Sequence, residues 1–254
     1  MIFRQFLRKR AKIWRGIRRT FLQRTDRPYQ ADSWWDAEFF TRGLSDRQTI
    51  APDKNPLSAA YHYASVELLI LRHLRNGRAD LAGARCCDLG SGSGHWIDFY
   101  LGLGAAQCAG IDISEKAAAF LRQKYAGDNR VTIHHGRLLD RLPQAGGPFD
   151  LVNAIGVMFH LVDDTEWERT LHEVGRSVRP GGWFVAGGQF GWLDGVNVQF
   201  DDQHRVNKRL HSARRWRRVL RAAGFDPVTV HRNRAYLFIR DSLPENHVLM
   251  ARKR

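Results

Sequence analysis

Cysteine is scarce: three in 254 residues, Cys86 and Cys87 side by side and Cys108 alone. That excludes a disulfide framework and gives no metal-ligand spacing, so no metal is expected and a reducing compartment is. Long apolar runs are missing as well. No window reaches the roughly 18–20 uninterrupted apolar residues of a membrane-spanning helix. Internal repeats and low-complexity tracts are absent, apart from a bias toward arginine. Acidic residues are missing from one region: residues 1–25 hold nine Lys/Arg and no Asp/Glu.

The net charge of +14 is therefore unevenly spread. Residues 205–254 carry fourteen basic against three acidic side chains, whereas residues 26–204 carry 17 against 23. A mildly acidic centre lies between two basic ends. Along residues 2–22 the apolar side chains Phe3, Phe6, Leu7, Trp14, Ile17 and Phe21 fall on one helical face, with Arg4, Arg8, Lys12, Arg15 and Arg19 opposite. Such a helix suits an anionic membrane surface. It equally suits docking on its own domain with a solvated basic side, and Arg10 interrupts its apolar face. Arginines every few positions exclude a secretory signal; a mitochondrial presequence shares this composition and stays open. The expected location is the cytoplasm, with peripheral contact at the membrane.

What the chain does have is a turn rich in glycine. Residues 86–94 read Cys-Cys-Asp-Leu-Gly-Ser-Gly-Ser-Gly, an apolar strand closed by Asp88 and followed by Gly90, Ser91, Gly92 and Gly94. Glycine at every second position lets the backbone bend sharply and approach a ligand with no Cβ in the way. Eighteen residues after Gly94, Asp112 ends a second apolar run, where a carboxylate can accept both hydroxyls of a ribose. The dinucleotide fingerprint G-x-G-x-x-G is not met, because its third glycine position holds His95.

Asp-x-Gly-x-Gly-x-Gly from Asp88 to Gly94 resembles motif I of the class I S-adenosylmethionine-dependent methyltransferases. The resemblance continues through Phe149–Leu161, Arg179–Val185 and Leu220–Phe225, in the family's order, and covers roughly residues 58–254. It implies a doubly wound, seven-stranded, mostly parallel sheet with the last strand antiparallel, in a three-layer α/β/α arrangement. Residues 1–57 would be an N-terminal extension carrying the amphipathic helix, and 58–254 the cofactor-binding domain. Alternation of short apolar runs with helical stretches supports that fold directly. Strands are expected at Arg85–Leu89, Gln107–Asp112, Val131–His134, Phe149–Ile155 and Trp183–Gly187, then Pro227–Asn233 and His247–Arg252. Helices are expected at Ala59–Arg75, His95–Leu103, Ser114 to about Tyr125, Asp163–Val178 and Ser212–Ala223, with a short one around Trp34, Trp35, Phe39 and Phe40.

The resemblance also assigns roles. Asp88, Gly90, Ser91, Gly92 and Gly94 would hold the methionine part and ribose of S-adenosylmethionine, Asp112 the ribose hydroxyls, and Ile113 one adenine face. The acid that often reads the adenine amino group is missing from His135-Gly136-Arg137-Leu138, so backbone near Arg137 and Leu138 is expected to serve. His95 would face the cofactor carboxylate. Asn153 ends the strand where the family brings methyl and acceptor together; the prolines and tyrosine of the Asn-Pro-Pro-Tyr segment used on nucleobase or amide nitrogens are missing. His160, which titrates near neutrality when unperturbed, is the first candidate base, or else a structural residue opening the next turn; His62 is the second. Gln189–Trp192 would line the acceptor pocket. These features point to methylation of an oxygen on a small-molecule, glycan or lipid-linked acceptor. A nucleic-acid methyltransferase using Arg205–Arg221 as a phosphate-binding face, and a non-catalytic cofactor-binding scaffold, are the alternatives.

Overall fold

The computed structural model of the protein describes residues 29–40, 43–50, 55–199, 206–233 and 246–254; the amphipathic segment 2–22 lies outside them. The strands are β1 (Arg85–Leu89), β2 (Gln107–Asp112), β3 (Val131–His135), β4 (Phe149–Ile155), β5 (Val178–Gln189), β6 (Val196–Gln199), β7 (Val206–Leu210), β8 (Phe225–Arg232) and β9 (Asn246–Lys253). Seven form one sheet in the order β3-β2-β1-β4-β5-β9-β8, and β6 with β7 makes a separate hairpin. The neighbours from β3 to β5 pair in parallel, while β9 runs antiparallel to both β5 and β8. This is the doubly wound sheet that the sequence resemblance implies.

Both faces of the sheet are covered, which is why its strands read as nearly continuous apolar runs. Successive residues alternate between the faces. Cys86, Leu151 and Val185 join one core with Tyr63, Val66, Ile70 and Leu74 of α3 (Pro56–Asn76) and Trp96, Ile97 and Tyr100 of α4 (His95–Gly102). Cys87, Val152 and Phe184 join the other, against Trp167, Leu171 and Val174 of α7 (Asp164–Ser177) and Trp216, Val219 and Leu220 of α8 (Ala213–Ala222).

Helix starts follow their caps. Asn55 Oδ1 accepts from Ser58 N at 2.8 Å and Pro56 follows it, so α3 begins three residues before the expected Ala59. Ser114 caps α5 (Glu115–Lys124) as expected, its hydroxyl accepting from Ala117 N at 3.0 Å. β5 extends well past the expected Trp183–Gly187 at both ends, because Val178 already pairs with Phe149 across an irregularity in register. The aromatic stretch forms α1 (Ala31–Trp34) and a single π turn, Trp35–Phe39; buried Trp34 and Phe40 pack on Ala117 of α5. Elements not expected from the sequence include the β6–β7 hairpin, α2 (Asp46–Ile50) and the four-residue α6 (Leu138–Arg141).

Candidate active site

Strand order reverses at β1, between β2 on one side and β4 on the other, so the carboxyl ends of these strands surround a natural ligand crevice. Register places Asp88 of β1 opposite Gly110 of β2 and Asn153 of β4. Beyond β1 the chain turns through Gly90, with φ +71°, and Gly92, with φ +51°. A Cβ on Gly92 would lie 2.2 Å from Thr49 Cγ2, and one on Gly90 2.7 Å from Val157 Cγ2. Only glycine fits either position.

The loop is fastened to the end of β2. The amides of Gly90 and Ser91 donate to the Ile111 carbonyl at 2.7 and 3.2 Å. Asp112 Oδ2 accepts from Gly92 N at 2.8 Å, and Oδ1 from Ser114 N at 2.9 Å. The carboxylate is buried, and burial pushes its pKa up against the pull of these two amides. Each oxygen keeps a further lone pair for a ligand donor.

Beneath the loop lies a chain of three polar side chains. Tyr100 Oη donates to Asn153 Oδ1 at 3.1 Å, and Asn153 Nδ2 donates to Asp88 Oδ1 at 2.7 Å. All three are buried, and Asp88 Oδ2 has no partner. Burial raises the Asp88 pKa to about 7, although the Asn153 hydrogen bond acts the other way. The Asn153 amide is thus occupied at both ends, as a support for Asp88 rather than a group extended toward an acceptor.

A second cluster roofs the loop. His95 Nδ1 faces Asp46 Oδ2 at 2.8 Å and Nε2 faces Glu67 Oε1 at 2.6 Å, while Tyr63 stacks on the ring at 3.6 Å. Ser93 Oγ donates to the other Asp46 oxygen at 2.7 Å. With both nitrogens spent on protein carboxylates, His95 is not turned to a cofactor carboxylate as expected. Burial opposes its charge, but the Asp46 and Glu67 carboxylates prevail and raise its pKa. The His95 hydrogen bond lowers that of Asp46 in turn. The ion pairs therefore stabilise the fold below the ordinary histidine pKa, and their contribution is lost as pH rises through the elevated one. In an NMR titration His95 is expected to titrate above an ordinary histidine, and Asp46→Asn to move its midpoint back down; an unmoved midpoint would mean that Asp46 does not hold the proton there.

On the acceptor side, His160 ends a 3-10 turn, Met158–His160, that follows β4. Its Nδ1 donates to the Asn207 carbonyl at 2.8 Å, which leaves the Nε2 lone pair available. Burial, then the Lys208 charge, lower its pKa to about 3, so the ring is neutral at physiological pH. Trp35 meets it edge-on at 5.0 Å, and Lys208 Nζ lies 5.0 Å from the Phe159 ring centroid. Both polar atoms of the buried Asn207 side chain lack partners.

The structure thus gathers Asp88, Gly90, Ser91, Gly92, Gly94, Asp112 and Asn153 at one place, with half-buried Ile113 next to Asp112. The Arg137 side chain reaches outward to Glu166 at 3.4 Å and the Leu138 side chain belongs to the core, so any part these two residues play at the cofactor falls to their backbone, as expected from the sequence. His62 lies half-buried beside Tyr63; Tyr63, one residue on, is the α3 ring that stacks on His95. The expected pocket wall Gln189–Trp192 divides: Phe190 is buried against Trp216, and Trp192 is 99% exposed. The basic run is partly neutralised, since Arg209 pairs with Asp164, and Arg215 with Asp164 and Glu168. Asp46, Thr49 and Glu67 were missed. The available signal was Ser45-x-x-Gln48, a capping pattern realised by Gln48 N donating to Ser45 Oγ at 3.3 Å.

Residues 86–182 match a family model described as a methyltransferase domain. The ubiquinone biosynthesis O-methyltransferase of Thiobacillus denitrificans is 33% identical over 107 residues, 42% of this chain and 44% of that protein. The enzyme of the same name from Neisseria meningitidis serogroup A is 30% identical over 135 residues, 52% of this chain and 48% of that one. The chain spans about half the length of the curated relatives it matches. Among solved structures, the magnesium protoporphyrin IX methyltransferase of Synechocystis PCC 6803 with bound SAH superposes with TM-score 0.62 at 19% identity, covering 88% of this chain and 98% of that one. A didemethyltoxoflavin N-methyltransferase of Burkholderia thailandensis gives 0.54 at 21% identity, over 80% and 92%. At such identities these structures speak for the fold.

Proposed function

We propose that this chain is a class I S-adenosylmethionine-dependent methyltransferase that methylates an acidic oxygen of a small-molecule acceptor, a reading supported by the match of residues 86–182 to a methyltransferase-domain family model. The observation that carries the reading is the division of polar groups around the glycine loop. Asp88 Oδ2 is a buried acceptor without a partner, suited to the cofactor's ammonium. Asp112 has lone pairs left for ribose hydroxyls. The residues present fit the cofactor.

When bound, that cofactor would supply an electrophilic methyl: the acceptor oxygen–carbon bond would form as the sulfur–carbon bond breaks, with the oxygen's proton passing to solvent water. Holding the reactants in line is the main task of the protein. The turn Met158–His160 sits where β4 delivers an acceptor, and the His160 Nε2 lone pair can take a hydrogen bond from its hydroxyl. A ring with a pKa of about 3 is a poor base for a weakly acidic alcohol. The fitting acceptor is therefore a phenolic or similarly acidic hydroxyl, which His160 orients. Curated relatives named as O-methyltransferases support oxygen as the atom modified.

The test is incubation of the protein with cell extract and carbon-13 methyl-labelled S-adenosylmethionine, followed by NMR of the organic-soluble products. An O-methyl resonance is expected. Label confined to nitrogen or to RNA would sink the proposal.

A further inference from the structure

We infer that the outward face of α3, together with the end of β8, docks on an anionic phospholipid surface. The inner face of α3 is ordinary core. Its outer face is unusual for a helix open to solvent, where charged and polar side chains are the rule. Leu57 is 82% exposed, Tyr61 45%, Leu68 68% and Leu71 38%. At about 100° per residue they lie within roughly 40° of one line along the helix. No charged side chain interrupts this line between Leu57 and Leu71; Glu67, at its margin, is turned to His95. A contiguous apolar stripe of this kind marks an interaction site.

Charge identifies the partner. Where the stripe ends, Arg72 and Arg75 are exposed, and Arg232 at the end of β8 is exposed beside them. A groove of about 940 Å³ runs between α3 and β8, walled by Leu68, Leu71 and Val230 with these three arginines, and no acid lines it. None of the three arginines pairs with a carboxylate among the described residues. A symmetric dimer through this face would set the arginines of two copies against each other. A nucleic acid would leave the leucines in water. An anionic phospholipid satisfies both halves, with acyl chains against the leucines and phosphates at the arginines. The inner side of the same helix carries Tyr63 and Glu67 to the roof of the glycine loop, so the bound face would be the back of that roof.

The experiment is co-sedimentation of the full-length protein with phosphatidylcholine vesicles, with and without phosphatidylglycerol. Two variants, Leu68→Ser/Leu71→Ser and Arg72→Glu/Arg75→Glu, leave residues 2–22 intact, so any change reports on α3. The wild type is expected to sediment with the anionic vesicles only. Each double variant should lower partitioning by about tenfold with an unchanged melting temperature, and the arginine variant should also flatten the salt dependence. Failure of the wild type to bind, or wild-type partitioning in the arginine variant, whose exposed positions carry no folding risk, would overturn the inference. So would a vesicle-free dimer that the leucine variant converts to a monomer, because the face would then belong to a second copy. None of these outcomes depends on methyl transfer, so the inference and the proposed activity can fail separately.

Discussion

Asp112→Asn is expected to weaken binding of S-adenosylhomocysteine by roughly 100- to 1,000-fold, the scale of two charge-assisted hydrogen bonds. The substitution is nearly isosteric, yet the geometry allows it no benign orientation. One carboxylate oxygen accepts from Gly92 N and the other from Ser114 N. Whichever way an asparagine turns, its NH2 meets a backbone N–H. The glycine loop or the start of α5 would then be left with a buried, unpaired donor, costing about 1–3 kcal/mol of stability. The ligand would also lose an anionic acceptor for its ribose hydroxyls. Calorimetry on the variant, beside a urea melt, checks both effects; wild-type affinity would remove Asp112 from the cofactor site.

At position 88 affinity and stability are expected to move in opposite directions. Asp88→Asn keeps an oxygen for the Asn153 amide and removes the charge, so binding of S-adenosylhomocysteine at pH 8 should fall by about 10- to 100-fold. The wild type adds a pH signature. With a pKa of about 7, Asp88 must lose a proton to meet the ligand's ammonium, so affinity should decline below pH 7 by up to about tenfold per unit. The variant should lack that decline. For folding, a carboxyl whose native pKa lies above its ordinary 3.8 favours the native state as pH falls from 7 toward 4. Above pH 7 its buried charge opposes folding by a few kcal/mol. The neutral amide of the Asp88→Asn variant relieves this, offset in part by an NH2 group placed where Oδ2 now lacks a partner. A variant that bound as tightly as wild type at pH 8 would exclude the ammonium contact.

The parts of the molecule legible in its sequence are those governed by local rules. Arg85–Leu89, Gln107–Asp112 and Phe149–Ile155 coincide with β1, β2 and β4, because burial on both faces writes an apolar run into each strand. Ser114 was readable as a cap because capping acts over three residues. Contacts between distant segments were not readable in this way. His95 meets partners 49 and 28 positions away, and nothing adjacent to it announces either. The β6–β7 hairpin is short, and its second strand, Val-Asn-Lys-Arg-Leu, is too polar to stand out from a loop. Charge runs mislead for a related reason: Arg209 and Arg215 read as a basic face until α7 brings Asp164 and Glu168 against them. Aromatic content misled in the opposite direction, since Trp192 is 99% exposed among the described residues.

The sheet order also bears on synthesis of the chain. Among the described residues, β8 is joined to the sheet through β9 alone, which is wedged between it and β5 and comes last of the nine described strands in sequence. A ribosome that has released everything up to Arg232 has supplied β1 to β5, a contiguous parallel block able to assemble, but has left β8 no strand to bind. Until residues 246–253 emerge, β5 lacks its antiparallel neighbour and β8 lacks the strand that joins it to the sheet. The crevice at β1 can thus take shape well before the far edge of the sheet is sealed.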